Sequence, residues 1–124
     1  MLIGVNDLVQ GRSSDAYRQS LRIIYQEVAA GSDVFAISMP AWSYVPAAAD
    51  FGGAEHVERL TGIFNGVAHE EAAVLGFTWV DIGAVSTSGV GTAGWLASDQ
   101  LHPGDAQYAA WADVIWPAIR DRLR

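Results

Sequence analysis

The chain contains no cysteine and no lysine. Without cysteine there is no disulfide framework, no thiolate metal site and no catalytic thiol, and the redox compartment stays open. Any metal would need histidine and carboxylate ligands. The seven cationic side chains are all arginine and face fourteen carboxylates, which sets the net charge at -7. Such a chain repels phosphate backbones and anionic headgroups on average, so nucleic acid and membrane surfaces are poor partners for it. No apolar run approaches the roughly 20 residues of a membrane span, and Met1-Leu2-Ile3 is too short for a signal-peptide core. The expectation is a soluble protein, cytoplasmic by default, although a leader ahead of Met1 would lie outside this sequence. Two further motifs are missing: a Gly-x-Ser-x-Gly nucleophile elbow, and a glycine-rich loop followed by Lys and Ser or Thr for phosphate.

What is present is apolar surface. At 124 residues, 51% hydrophobic with five tryptophans, the chain has enough to offset the entropy of ordering one domain, expected over residues 1–124.

Met1-Leu2-Ile3, ending at Gly4, reads as the tail of a buried strand. Ser13 or Ser14 can cap a helix on which Tyr17, Leu21, Ile24 and Val28 recur, with Gly31 ending it. Val34 to Met39 is an apolar run closed by Pro40, too short for a helix and therefore expected as a buried parallel strand. Ala41 to Gly53 has no period and is expected as a long loop on the substrate side. Val57, Leu60, Phe64, Val67 and Val74 mark a second helix ended by Gly76, after which Phe77 to Val80 returns as a strand. Ile82 to Ser98 is rich in Gly, Ser and Thr and is expected as loop. Tyr108, Trp111, Ile115 and Ile119 define a last helix that Pro117 should kink or weaken near Val114. Strict alternation of strand and helix implies right-handed crossovers and a parallel sheet covered on both faces.

In open α/β sheets ligands bind beyond the carboxyl ends of the strands. Asn6 and Asp7 follow the first strand, Ser38 and the Trp42 loop the second, and Asp81 the third. In Gly4-Val5-Asn6-Asp7 a glycine tightens the strand end while the asparagine amide offers a neutral donor to a developing oxyanion. The same residues also make an ordinary Asx-type turn. Asp99-Gln100-Leu101-His102-Pro103 sets a carboxylate three residues ahead of an imidazole, so the aspartate can hold one ring nitrogen and leave the other as base. Taken alone, that spacing describes an exposed loop histidine beside a helix start equally well. Trp42 reads as core or as a pocket wall, and Trp111 and Trp116 as helix packing. His56 and His69 share no metal-ligating helix face and are expected as solvated positions. Gly31-Ser32-Asp33 reads as helix termination, and Ser86, Ser88 and Ser98 as loop solubilisers.

Together, an early Gly-x-Asn-Asp and a late Asp-x-x-His-Pro bracketing a βαβαβα chain resemble the SGNH (GDSL) hydrolase family. The resemblance runs over essentially the whole chain, including Gly11-Arg12-Ser13, Tyr17-Arg18 and the Ala-rich, Trp-bearing helix after His102. It implies a flavodoxin-like three-layer α/β/α fold with a parallel sheet. It also implies hydrolysis of a small-molecule ester through a covalent seryl intermediate, with no cofactor and no metal. It assigns Asn6 to the oxyanion hole, His102 to the catalytic base and Asp99 to the orienting carboxylate. Gly4, at the strand end, and Trp42, on the loop after the second strand, are expected on the substrate side. The departure is at the front: the family's Gly-Asp-Ser block and its oxyanion-hole glycine have no counterpart here. The chain is therefore expected to be a C-terminal part that lacks the N-terminal strands and has little activity alone. Its exposed sheet edge should favour self-association or pairing with a separate N-terminal segment. A non-catalytic binding domain that kept the fold is the alternative, and a hydrolase using another serine or an activated water is a third reading.

Overall fold

A computed structural model describes residues 1–31, 33–120 and 122. In chain order the elements are α1 (Val5–Val9), α2 (Ser14–Ala29), β1 (Phe35–Ile37), a 3-10 helix (Pro46–Phe51), α3 (Ala54–Val74), β2 (Thr78–Val80), α4 (Gly83–Thr87) and α5 (Asp105–Arg120). They fall into two compact units, Met1–Met39 with Leu60–Asp81, and Pro40–Arg59 with Ile82–Arg124.

The first unit holds the sheet. β1 and β2 pair in parallel, with Phe35 opposite Thr78, Ala36 opposite Trp79 and Ile37 opposite Val80. On the other edge of β1, the Met1 amine donates to the Phe35 carbonyl, and the Ile37 N–H donates to the Met1 carbonyl at 2.8 Å. The expected strand stub at Met1–Ile3 is thus held by β1 through a single residue. It is too short to run as a ladder of its own, because Gly4 turns the chain into α1.

α2 forms as its composition predicts. Ser13 is extended and its hydroxyl accepts the Ala16 N–H at 3.2 Å, which satisfies one of the orphan donors of the first turn. The buried face, however, is Tyr17, Leu21 and Tyr25, whereas Ile24 is 39% exposed. Tyr25 wins because its ring reaches Phe77, with centroids 5.1 Å apart, and Tyr17 stacks on Phe64 of α3 at 4.7 Å. Two arginines of α2 close the same helix pair: Arg18 and Arg22 donate to the buried Glu71 at 2.7 and 2.9 Å, and Arg18 also reaches Glu70 at 2.7 Å. These bonds hold the Glu71 carboxyl below its ordinary value, Arg22 contributing most.

α3 runs past its apolar stripe, which leaves Val74 80% exposed, and ends where Gly76 takes a left-handed conformation with φ of 70°. Its Asn65 clamps the chain after β1: Oδ1 accepts the Met39 N–H at 2.7 Å, and Nδ2 donates to the Met39 carbonyl at 3.1 Å. A side-chain amide therefore stands in for a neighbouring strand just where the sheet stops.

In the second unit the stretches expected as loop contain two short helices. Pro46, at the start of the 3-10 turn, has its φ preset for it, and Gly52 ends the turn at φ 93°. α4 occupies part of the Ile82 to Ser98 segment and packs against α5. α5 continues through Pro117 to Arg120 as one helix. Its inward residues are Gln107 and Trp111, one turn apart, while Tyr108 and Trp116 are 54% and 55% exposed. Gln107 thus takes the inward place expected of Tyr108, while Trp111 keeps its own and Ile115 and Ile119 stay half-buried. Among the described residues no helix is long and apolar enough to cross a membrane.

Candidate active site

Asn6, from the early motif, lies in the first unit. Gly4 adopts φ 124°, and a Cβ there would come within 2.6 Å of the Tyr17 hydroxyl and 3.1 Å of the Met39 sulfur. Its absent side chain lets α1 sit directly on Tyr17, whose hydroxyl donates to the Ile3 carbonyl at 3.1 Å. The structure thus gives Gly4 a packing role beneath Asn6. α1 is one short helix rather than an Asx turn, and the Leu8 N–H donates to the Gly4 carbonyl at 3.0 Å. Asp7 is engaged by Arg12, which also reaches the Ala16 carbonyl and Ser20 Oγ. The Asn6 side chain is exposed and makes no hydrogen bond among the described residues, so its amide is available to a ligand.

After β1 and β2, Ser38 Oγ donates to Asp81 Oδ1 at 2.9 Å, linking the carboxyl ends of the two strands. Ser38 is only 1% exposed.

Asp99 and His102 lie in the second unit, on a loop closed like a narrow hairpin. Gly104 N–H donates to the Trp95 carbonyl and Ala97 N–H to the His102 carbonyl, each at 2.9 Å, with Leu96 bridging Pro103 between them. At the tip Gln100 adopts φ 58°. This reversal lets Asp99 Oδ1 accept the N–H groups of both Leu101 and His102 at 3.0 Å, while Oδ2 lies 2.6 Å from His102 Nδ1. The imidazole bond first, and the two backbone N–H bonds after it, lower the Asp99 pKa to about 2. An anionic Asp99 favours the tautomer with hydrogen on Nδ1 and a lone pair on Nε2, the form a general base requires. His102 is exposed, and no serine hydroxyl bonds its ring among the described residues.

Beneath this loop is a buried polar network that sequence reading missed. Ser86, expected as a loop solubiliser, is fully buried in α4. Its hydroxyl donates to the Ile82 carbonyl at 2.6 Å and accepts the Trp111 indole N–H at 3.0 Å, while its carbonyl accepts the Trp95 indole N–H at 3.0 Å. Gln107, 1% exposed, donates to the Tyr44 hydroxyl at 2.5 Å and reaches the carbonyls of Ser86 and Trp95 at 3.4 Å. Gly104 is needed for the loop to close, since a Cβ there would lie 2.1 Å from the Gly94 carbonyl oxygen. The one signal available for Gln107 was its spacing of four from Trp111; nothing in the sequence marks Ser86.

Trp42, taken as a pocket wall or core, is buried with its ring edge-on to Phe51 at 5.7 Å. Its Nε1 has no hydrogen-bond partner among the described residues. His56 lies 3.1 Å from Arg59, and His69 stacks on Trp79 at 4.8 Å; both histidines are exposed. No group of three or more metal-ligating side chains occurs among the described residues. Ser32 of the Gly31-Ser32-Asp33 segment lies outside them.

No family model matches the chain, and no curated protein matches it. Solved structures do. A lipase/acylhydrolase from Enterococcus faecalis superposes with a TM-score of 0.73 at 22% identity, covering 98% of this chain and 60% of its own. An α/β hydrolase from the metagenome of Lake Arreo, Spain, gives 0.72 at 16% identity, covering 95% and 57%. An acetylxylan esterase from Geobacillus stearothermophilus gives 0.72 at 18%, again covering 95% and 57%. The chain has an SGNH hydrolase-like fold, α/β with a parallel sheet, and spans 57% to 60% of the length of these structures.

Proposed function

We propose that this chain, with its SGNH hydrolase-like fold, carries the acid–base half of a serine ester hydrolase. The observation that carries this reading is the 2.6 Å contact between His102 Nδ1 and Asp99 Oδ2, on a loop whose backbone reinforces the carboxylate. In the proposed reaction a serine oxygen attacks the ester carbonyl carbon while His102 Nε2 takes the serine proton. The tetrahedral oxyanion accepts a hydrogen bond from the Asn6 amide. Collapse breaks the bond to the alcohol oxygen, which receives the proton from His102, and water releases the acyl group by the same steps in reverse. An oxyanion donor of this kind is worth about 2.7 to 4 kcal/mol in other serine hydrolases.

The substrate class is a small-molecule carboxylic ester, by analogy with the acylhydrolase and acetylxylan esterase above. Low activity is proposed for the chain by itself, because the Gly-Asp-Ser block is not in its sequence and losing a nucleophile costs on the order of a millionfold in turnover. The serine is proposed to come from a segment that pairs along the Met1 edge of the sheet, where Leu2 is 36% exposed. A second reading, a binding domain that kept the fold without catalysis, is favoured by the lack of any serine on His102 among the described residues.

A fluorophosphonate probe separates the two. Labelling should be absent from the chain alone and should appear on the serine of an added polypeptide bearing a Gly-Asp-Ser strand. Labelling of neither, in a mixture shown to associate, would sink the esterase reading, and labelling of a serine in this chain would move the nucleophile here.

A further inference from the structure

Two loops of the second unit, the one bearing Trp42 and Tyr44 and the one bearing His102, meet at a single buried side chain. Gln107 Nε2 donates to the Tyr44 hydroxyl at 2.5 Å, and the carbonyls of Ser86 and Trp95 lie 3.4 Å away. Two hydrogens serve three acceptors, so the two longer contacts share one of them. Trp95 is the base of the His102 hairpin, because its carbonyl also takes the Gly104 N–H at 2.9 Å. Gln107 is itself anchored: its backbone N–H donates to the Gly104 carbonyl at 3.0 Å, and it is 1% exposed.

A buried glutamine is a costly way to fill space, since every amide hydrogen left without an acceptor in the interior is penalised. A leucine or methionine would pack there without that demand. What the amide supplies and a hydrocarbon cannot is a directional tie between two loops of irregular backbone, neither of which has a ladder to hold it against the other. We propose that Gln107 is a positioning residue that fixes the His102 loop against the Tyr44 loop, so that the base and the candidate substrate wall at Trp42 move as one body. Its role in positioning the base rests on the proposed function of His102, whereas the tie between the two loops does not.

The test uses the chain as it is and needs no hydrolysis, so its failure is distinguishable from failure of the esterase reading. Gln107→Met keeps length and volume and removes both N–H donors. Tyr44→Phe removes one hydroxyl from the opposite loop and should fold even where the glutamine variant does not. NMR would follow the amide signals of residues 97–104 and the Asp99 carboxyl titration, well below each variant's Tm. Expected are shifts of the hairpin amides in both variants and an upward move of the Asp99 titration midpoint as the bonds that lower it loosen. The double variant should add nothing further. Unmoved hairpin signals with only a lowered Tm would reduce Gln107 to a packing residue and overturn the proposal. A response to Gln107→Met without one to Tyr44→Phe would overturn the tie to the Tyr44 loop.

Discussion

The indole N–H of Trp111 donates to the hydroxyl of Ser86 at 3.0 Å, and both residues are buried. The same hydroxyl also donates its one hydrogen to the Ile82 carbonyl at 2.6 Å, so it acts as donor and acceptor at once. The loop bearing His102 rests on this arrangement through Trp95, whose indole N–H ends on the same serine's carbonyl.

Ser86→Ala should therefore be costly for so small a change. It strands the Trp111 N–H in the interior, while the Ile82 carbonyl keeps the Ser86 backbone N–H at 3.0 Å, and the expected loss is about 1 to 3 kcal/mol. Urea unfolding checks it; a loss below about 0.5 kcal/mol would mean that water or a local shift replaces the hydroxyl.

Gly104→Ala should be more severe. The new methyl would meet the Gly94 carbonyl oxygen at 2.1 Å, and that oxygen already holds the Ala106 N–H of α5. Backbone must move, at a cost of about 3 kcal/mol. Because the displaced segment closes the His102 hairpin, the amide signals of residues 97–104 should shift with it, whereas Gly62→Ala, in open space on α3, should leave them in place.

Glu71 sets an acid limit on the first unit. Its carboxyl is lowered in the fold by Arg22 and Arg18, so its stabilisation is complete above the ordinary glutamate range and is lost as pH falls through the lowered value. Glu71→Gln should flatten that part of the stability profile, measured by denaturant midpoints between pH 6 and pH 3, chosen as roughly spanning carboxylate titration. The arginine partners are 27% and 57% exposed, so at neutral pH the loss should be about 1 to 2 kcal/mol rather than the larger figure for a fully buried pair.

Asp99→Asn should leave the fold standing and remove the tautomer lock. Asp99 and His102 are both exposed, so thermal stability at neutral pH should barely change. In the intact sequence the carboxylate contributes above about pH 3.8, and that contribution fades as pH falls through about 2. Imidazole nitrogen shifts of the neutral ring should report the Nδ1–H form for the parent and a mixture for the variant. In a reconstituted enzyme the same change should lower kcat by on the order of 10⁴-fold.

Local chemistry was legible in the sequence: the Ser13 cap, the Gly76 ending of α3, and the three-residue reach from Asp99 to His102 each depend on neighbours along the chain. The parallel pairing of β1 and β2 was legible from apolar runs separated by a helix. Contacts made through space were not. Beyond its spacing of four from Trp111, nothing near Gln107 announces that an amide rather than Tyr108 turns inward, because the acceptors sit on residues 44, 86 and 95. α4 was hidden for the same reason: five residues containing glycine, valine and threonine have weak helical preference, and Ser86 is held from outside the helix by Trp111. Pro46 and Gly52 do bracket the 3-10 turn in readable form, and only the absence of a period in that stretch pointed to loop.

Hydrolysis of p-nitrophenyl acetate tests the proposed role of His102 as the base of an ester hydrolase. The chain would be assayed joined to a Gly-Asp-Ser-bearing N-terminal segment and compared with the same protein carrying His102→Ala. Turnover by the joined protein should fall by on the order of 10⁴-fold or more with His102→Ala, at unchanged fold by circular dichroism. Equal rates with and without the imidazole would contradict that role.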